Sequence, residues 1–141
     1  VTDYRASCIS VEAADAEVNA ITSLADGGRV QLYGGQKPLR CTRPVGVSPL
    51  LAECGLGSPA FNRSENGVAV ARPIEPGKAK GKGKATWFRV VQIDGSPVWD
   101  GSVGPERKDQ KDLYDLYLNS IEIQENAIVR ISRLAYVGLT E

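Results

Sequence analysis

The sequence predicts a mostly β, single-domain protein: a β-sandwich or jelly roll with one N-terminal amphipathic helix. Three observations carry this. Apolar residues recur at helical spacing only ahead of Gly27-Gly28. After those glycines, short β-branched and aromatic runs return at regular intervals between Gly, Pro and Asp-Gly turns. Residues 85–104, which contain both tryptophans, read as one β-hairpin. A chain of 141 residues with 42% hydrophobic side chains suits one domain with its own core. The expected layout is a single domain over 1–141, with the helix at about 9–26, the sandwich at about 29–137 and an exposed basic loop at about 77–84.

Val11, Ala14, Val18, Ile21 and Ala25 alternate at spacings of three and four, with Leu24 beside them, so they line one side of a helix. Glu12, Asp15, Glu17 and Asn19 fall on the other side. Ser10 suits the N-cap, acidic residues follow in the first turns, and Gly27-Gly28 stops the helix after Asp26. The apolar stripe is expected to lie on a sheet, with docking on a partner as the alternative.

Arg29 to Tyr33 alternates as a strand, Val30 and Leu32 on one side and Arg29, Gln31 and Tyr33 on the other. Gly34-Gly35 then turns the chain. Residues 36–49 hold Pro38, Pro44 and Pro49 with Arg40 and Arg43, which favours an extended irregular segment. Residues 49–54 suit another strand. Pro59-Ala60-Phe61 and residues 67–71 suit two short strands around the polar turn 62–66.

In the hairpin, residues 87–93 form the outgoing strand, Asp94-Gly95 opens the turn and Val98-Trp99 starts the return. Asp-Gly tolerates the positive φ that such turns require, and Pro97 fits only near a strand start or on an edge. Trp87, Phe88, Val90 and Val91 are the expected core. A charged loop at 105–112, a mixed segment at 113–123, and a strand pair or one bent strand at 127–137 complete the chain.

Seventeen basic residues balance seventeen acidic ones, so no global field selects nucleic acid. The chain has no histidine, which removes the commonest general base and zinc ligand together. No apolar run is long enough to span a bilayer, and the start lacks a charged-then-apolar leader pattern. Methionine is missing even at position 1, which leads to the expectation of a product trimmed before Val1 inside the cell.

Cys8, Cys41 and Cys54 form no C-x-x-C pair and are expected to be reduced thiols, with a Cys41–Cys54 bridge as the alternative. No histidine is present to activate a thiol. Asp94, Asp100, Asp109, Asp112 and Asp115 share one region, but Asp94 and Asp100 sit in turn dipeptides where the carboxylate serves the backbone. Catalytic residues, metal ligands and cofactors are therefore not expected. Tyr114 and Tyr117, with Leu113, Leu116 and Leu118, are expected to pack, the alternative being a platform for polysaccharide.

Residues 77–84 alternate lysine with glycine or alanine. They lack the spacing of a phosphate-binding loop and lead into Ala85-Thr86-Trp87, a strand and not a helix start. Two readings stay open. The lysines guard a strand edge against pairing with other chains, or they meet an acidic protein surface or polyanion. Lys78, Lys80, Lys82 and Lys84, with Arg40 and Arg43, are the candidate contact residues.

A resemblance adds to this reading. Residues 30–38, Val-Gln-Leu-Tyr-Gly-Gly-Gln-Lys-Pro, are similar to an Arg-Ile-Tyr-x-Gly-x-Gln-Pro strand that follows the helix in tailed-phage head-decoration, or cement, proteins. Leu50-Leu51-Ala52-Glu53, Pro59-Ala60-Phe61 and Gly67-Val68-Ala69 resemble the next blocks. Residues 85–104 resemble the Ala-Thr-Trp-Phe-Arg-Val, Asp-Gly and Asp-Gly-Ser-Val-Gly series of that family. The chain departs from the pattern in one extra residue between Gln36 and Pro38, in the lysine run, and in a longer, more charged segment at 105–117.

The resemblance implies a non-enzymatic viral structural protein, made in the host cytoplasm, that binds the outer surface of the phage head and cements neighbouring major capsid protein subunits. The implied partners are the major capsid protein and the chain itself, with a dimer favoured over a trimer because a twofold clip suits two equivalent capsomers. Neither nucleic acid nor membrane is an expected partner. The alternative is an adhesion or carbohydrate-binding β-sandwich of a phage head fibre or tail.

Overall fold

The computed structural model describes residues 9–41, 43–106 and 114–138. Helix α1 spans Val11–Ser23. The Ser10 hydroxyl caps it by accepting the Ala13 N–H at 3.1 Å, which satisfies one amide that a helix start leaves without a partner. The helix stops short of residue 26: Leu24 is the C-cap, and turns carry the chain to Gly27 at φ +71°.

The buried side of α1 is Ala14, Val18 and Thr22, with Ala25 beyond its end, while Val11 and Leu24 are exposed. The expected stripe is thus corrected at three positions. Val11 and Leu24 face solvent, and Thr22 takes the inward place while Ile21 stays half-buried. Threonine can do so because its hydroxyl donates to the Val18 carbonyl at 2.9 Å, which offsets the cost of burying it.

Eleven strands follow: β1 (Arg29–Tyr33), β2 (Leu50–Gly55), β3 (Val68–Val70), β4 (Gly77–Lys78), β5 (Gly83–Lys84), β6 (Trp87–Val91), β7 (Pro97–Pro105), β8 (Leu116–Leu118), β9 (Glu122–Ile123), β10 (Ile128–Val129) and β11 (Ile131–Val137). The protein is mostly β with one helix, and seven strands form a mixed sheet in the order β2-β1-β6-β7-β8-β11-β3. Within it β7 and β8 run parallel and all other neighbours antiparallel. Ribbons β4-β10 and β5-β9 complete the pairing.

One expected strand is lost, and the alternatives for 127–137 resolve into two strands. Of the segments at 59–71 only Val68–Val70 is a strand, and Phe61 makes an isolated bridge to Ala71. The segment 127–137 divides at Arg130, whose N–H donates to Asn119 Oδ1 at 3.1 Å and whose carbonyl accepts the Asn119 N–H at 3.0 Å. Asn119 thereby holds Arg130 out of both ladders, and β10 and β11 take different partners.

The register sorts the central strands into two faces. Val30, Leu32, Ala52, Phe88 and Val90 are opposite one another on the inner face and join one apolar cluster with Val18, Leu116 and Leu134. Phe88 lies across from Gly101, where a Cβ would come within 2.5 Å of its ring. Glycine at 101 therefore serves ring packing. The Asp100-Gly101 pair is not a turn, as the sequence suggested, but the middle of β7. Asp94-Gly95 is the turn: it is exposed, Gly95 has φ +90°, and Gln92 N–H donates to the Ser96 carbonyl at 2.8 Å. Pro97 opens β7.

Helix α1 packs against β3 and β11. Its polar side ties down the loop before β3: Asp15 Oδ1 accepts the Ser64 hydroxyl at 2.7 Å and the Gly67 N–H at 2.8 Å, and Asn19 Oδ1 accepts the Ser64 N–H at 2.8 Å.

Candidate functional site

β2 ends the seven-stranded sheet, where free N–H and C=O groups template pairing with another chain unless they are covered. The lysine run lies along this edge. Ala79 bridges Ala52 in antiparallel fashion, and the Lys80 and Gly81 N–H groups donate to the Leu51 carbonyl at 2.8 and 3.3 Å. Gly77 and Ala79 are buried, while Lys78, Lys80, Lys82 and Lys84 are exposed.

Close backbone approach explains the alternation. A Cβ on Gly77 would collide with the Glu53 carbonyl and sit 3.0 Å from Cys54 Sγ, and one on Gly81 would sit 3.2 Å from the Leu50 carbonyl. Alternate residues facing β2 must be small, and those facing solvent are lysines. The expected basic loop at 77–84 is therefore corrected to an edge segment, tied at both ends by the pairing of β4 with β10 and β5 with β9. Lys80 Nζ lies 3.5 Å from Glu53 Oε1, and Lys84 is opposite Glu122.

Arg40 and Arg43 stand exposed on the irregular segment 36–49. The two ends of this segment are held together at the sheet. The Gly34 N–H donates to the Pro49 carbonyl at 3.2 Å, the Ser48 hydroxyl to the Gln36 carbonyl at 3.2 Å, and the Thr86 hydroxyl to the Gly35 carbonyl at 2.6 Å. Midway, the Cys41 thiol donates to the Val98 carbonyl at 3.8 Å. The lysine run and this loop meet at its base, since a Cβ on Gly34 would lie 3.0 Å from the Lys84 carbonyl and 3.6 Å from Pro49. Lys84, at the end of the lysine run, thus adjoins the base of the loop, while Cys41, between Arg40 and Arg43, reaches Val98 on β7.

On the outer face of the sheet lies a polar ladder that the sequence did not reveal. Glu53, Gln31, Arg89 and Asp100 are successive cross-strand neighbours over β2, β1, β6 and β7. Arg89 Nε donates to Asp100 Oδ1 at 2.7 Å and Nη2 to Oδ2 at 3.1 Å, with both side chains under 10% exposed: 7% and 4%. Gln31 Nε2 donates to Glu53 Oε2 at 3.1 Å, and the Tyr33 hydroxyl to Gln31 Oε1 at 3.0 Å. Arg29 Nε lies 3.2 Å from Glu53 Oε2. Aromatic rings flank the ladder: Trp87 stacks on Tyr33 with centroids 4.5 Å apart, its Nε1–H donates to the Gly34 carbonyl at 3.1 Å, and the Arg89 guanidinium sits 5.6 Å from its ring centroid.

These contacts set the charges. The hydrogen bond to Asp100 pushes Arg89 further up against burial, which acts in the other direction. Burial pushes the Glu53 carboxyl up, but Gln31, Lys80 and Arg29 together bring it below its ordinary value. Burial raises the Tyr33 hydroxyl. The donors and acceptors of the ladder are engaged with one another, so its chemistry is to fix register and carry buried charge.

The remaining sequence candidates are also placed. Cys41 and Cys54 are separate free thiols, so the alternative bridge between them does not form; burial pushes the Cys54 thiol up. Asp94 Oδ1 accepts the Ser96 N–H at 2.9 Å in its turn, whereas Asp100 holds Arg89. Tyr114 and Tyr117 meet edge-on at 6.0 Å beside buried Leu116 and Leu118, as packing residues. Trp87, Phe88, Val90 and Val91 are buried. Cys8, Asp109, Asp112 and Leu113 lie outside the described residues. Among the described residues, no group of three or more His, Cys, Asp or Glu is placed to hold a metal ion, and no helix is long and apolar enough to cross a membrane.

No family model, curated protein or solved structure matches the chain. The exposed lysines along the β2 edge and the exposed Arg40 and Arg43 on the 36–49 loop are the candidate contact surfaces.

Proposed function

We propose that this chain is a cement protein: a non-enzymatic structural protein that coats the outside of a tailed-phage head and holds neighbouring major capsid protein subunits together. In this reading it acts as a homo-oligomer, a dimer in the simplest case, on the virion surface. The seven-stranded sheet and its ribbons are taken as the layers of a jelly-roll sandwich.

One observation carries the reading. Four of the blocks that resemble head-decoration proteins fall on adjoining strands of one sheet: residues 30–33 in β1, 50–53 in β2, 87–90 in β6 and 100–104 in β7, in the order β2-β1-β6-β7, while 68–69 lie in β3 at the far end of the sheet and 59–61 lie outside the named strands. A sequence similarity that falls on paired neighbours is supported by a shared physical task, because cross-strand contacts constrain those positions together.

A protein that binds only the assembled shell stabilises that state by mass action, and many modest contacts add through multivalency. Lys78, Lys80, Lys82 and Lys84 with Arg40 and Arg43 supply outward cations for acidic groups of the shell. Exposed pairs of this kind contribute about 0–1 kcal/mol each and are screened over about 10 Å at 0.1 M salt.

The test is sedimentation of the purified chain with expanded heads of its own virus that lack it, followed by imaging. Retention in many copies per head, weakened by salt and by replacing the four lysines with glutamine, is the expected result. Absence of retention, or a few copies at the tail together with glycan binding, would replace cement by an adhesion module. Retention and salt slope unchanged in the lysine variant would leave those lysines as edge guards only.

A further inference from the structure

We propose that the 36–49 loop is the principal docking element of this protein, with Leu39 and Val47 as apolar anchors for a protein surface that has an apolar pocket rimmed by carboxylates. That this surface belongs to the capsid shell rests on the cement reading above.

Leu39 is 82% and Val47 103% exposed, the two most exposed large hydrophobic side chains among the described residues. Single exposed apolar residues are common on any surface. Here two stand on one short loop that also carries Lys37, Arg40 and Arg43 and no acidic residue. A cationic rim around apolar anchors complements an acidic rim around an apolar pocket, and phosphate backbones offer no counterpart to the leucine and valine.

The described residues of the loop, 36–41 and 43–49, are tied to the sheet before any partner arrives. Pro38, Pro44 and Pro49 restrict its backbone, the contacts of Gly34 and Ser48 close its base, and Cys41 fastens its middle to β7. Beneath it lies the sheet stiffened by Arg89 and Asp100. A preformed loop loses little conformational freedom on binding, so more of the contact energy appears as affinity. Lys37, Leu39, Arg43, Val45 and Val47 line one open concavity, so cations and apolar side chains share a single surface of the loop.

The experiment compares the parent, a Leu39→Ser/Val47→Ser variant and an Arg40→Gln/Arg43→Gln variant for retention on expanded heads of the same virus across a salt series. Loss of the anchors should weaken retention by about tenfold or more at every salt concentration, while loss of the arginines should mainly flatten the salt slope. Both anchor side chains point to solvent, so an unchanged thermal midpoint verifies the fold of the serine variant. Parent-like retention of that variant overturns the inference and leaves the cement reading standing. A parent that does not sediment with heads overturns the cement reading, and with it the shell as partner. Loss of self-association in the serine variant by analytical ultracentrifugation, with retention unchanged, assigns the loop to contact between copies and overturns it equally. A mobility shift of duplex DNA that depends on Leu39 and Val47 would do the same in favour of nucleic acid.

Discussion

Arg89 and Asp100 face each other across β6 and β7, joined by two hydrogen bonds of 2.7 and 3.1 Å with almost no solvent access. The pair sits on the face opposite the main apolar cluster, beneath the segment fastened by Cys41. It makes that face a second interior where a polar surface would be expected. Asp100→Asn leaves a buried guanidinium without its counter-charge and should destabilise the protein by about 3–5 kcal/mol in urea unfolding. Arg89→Met combined with Asp100→Leu removes both charges and should recover most of that loss. A parent-like midpoint for Asp100→Asn would show that water reaches the pair.

Trp87 is 1% exposed, stacks on Tyr33 and donates its indole N–H to Gly34. Trp87→Ala should therefore cost about 3–5 kcal/mol, and Trp87→Phe less, since a ring would remain on Tyr33. Denaturant unfolding of the two variants checks the order. Equal midpoints for parent and Trp87→Ala would refute burial of the ring.

Acid sensitivity should trace partly to Asp15. The Gly67 N–H, then the Ser64 hydroxyl, hold its carboxyl below the ordinary value. Because the folded value is depressed, the stability it contributes is complete above the unfolded value of about 3.9 and is lost as pH falls through the lower folded value. The melting-temperature gap between parent and Asp15→Asn should thus narrow from about pH 6 down to about pH 2. A gap constant over that range would mean the carboxylate is not differentially stabilised.

The thiols should differ in reactivity. Cys54 is buried with its thiol pushed up, whereas Cys41 is partly exposed. A maleimide reagent should modify Cys41 in the native protein and Cys54 only on unfolding. Peptide mass mapping after timed labelling reads this directly, and native labelling of Cys54 as fast as Cys41 would contradict its burial.

Local chemistry made several features legible in the sequence alone. Ser10 announces the helix because its hydroxyl can serve a free amide three residues on. Arg29–Tyr33 shows as a strand by alternation, and Asp94-Gly95 shows as a turn because glycine accepts positive φ. Trp87, Phe88, Val90 and Val91 announce a core because so much apolar surface on adjoining residues is buried when both sheet faces are covered. Each depends on residues within a few positions of one another.

What only the tertiary structure decided depends on partners far apart in the chain. Asp100-Gly101 has the composition of a turn, yet Arg89 and Phe88 across the register make it the middle of a strand. Thr22 is buried in place of an apolar neighbour because α1 packs on β3 and β11 through the side that carries Ala14, Val18 and Thr22. The lysine run gave no sign of where its small residues face until β2 lay beside it, with Ala52 opposite Ala79. Composition and periodicity report what a residue can do with its neighbours in sequence. Register, close backbone approach and the pairing of buried charge are relations between strands, and only the folded chain sets them.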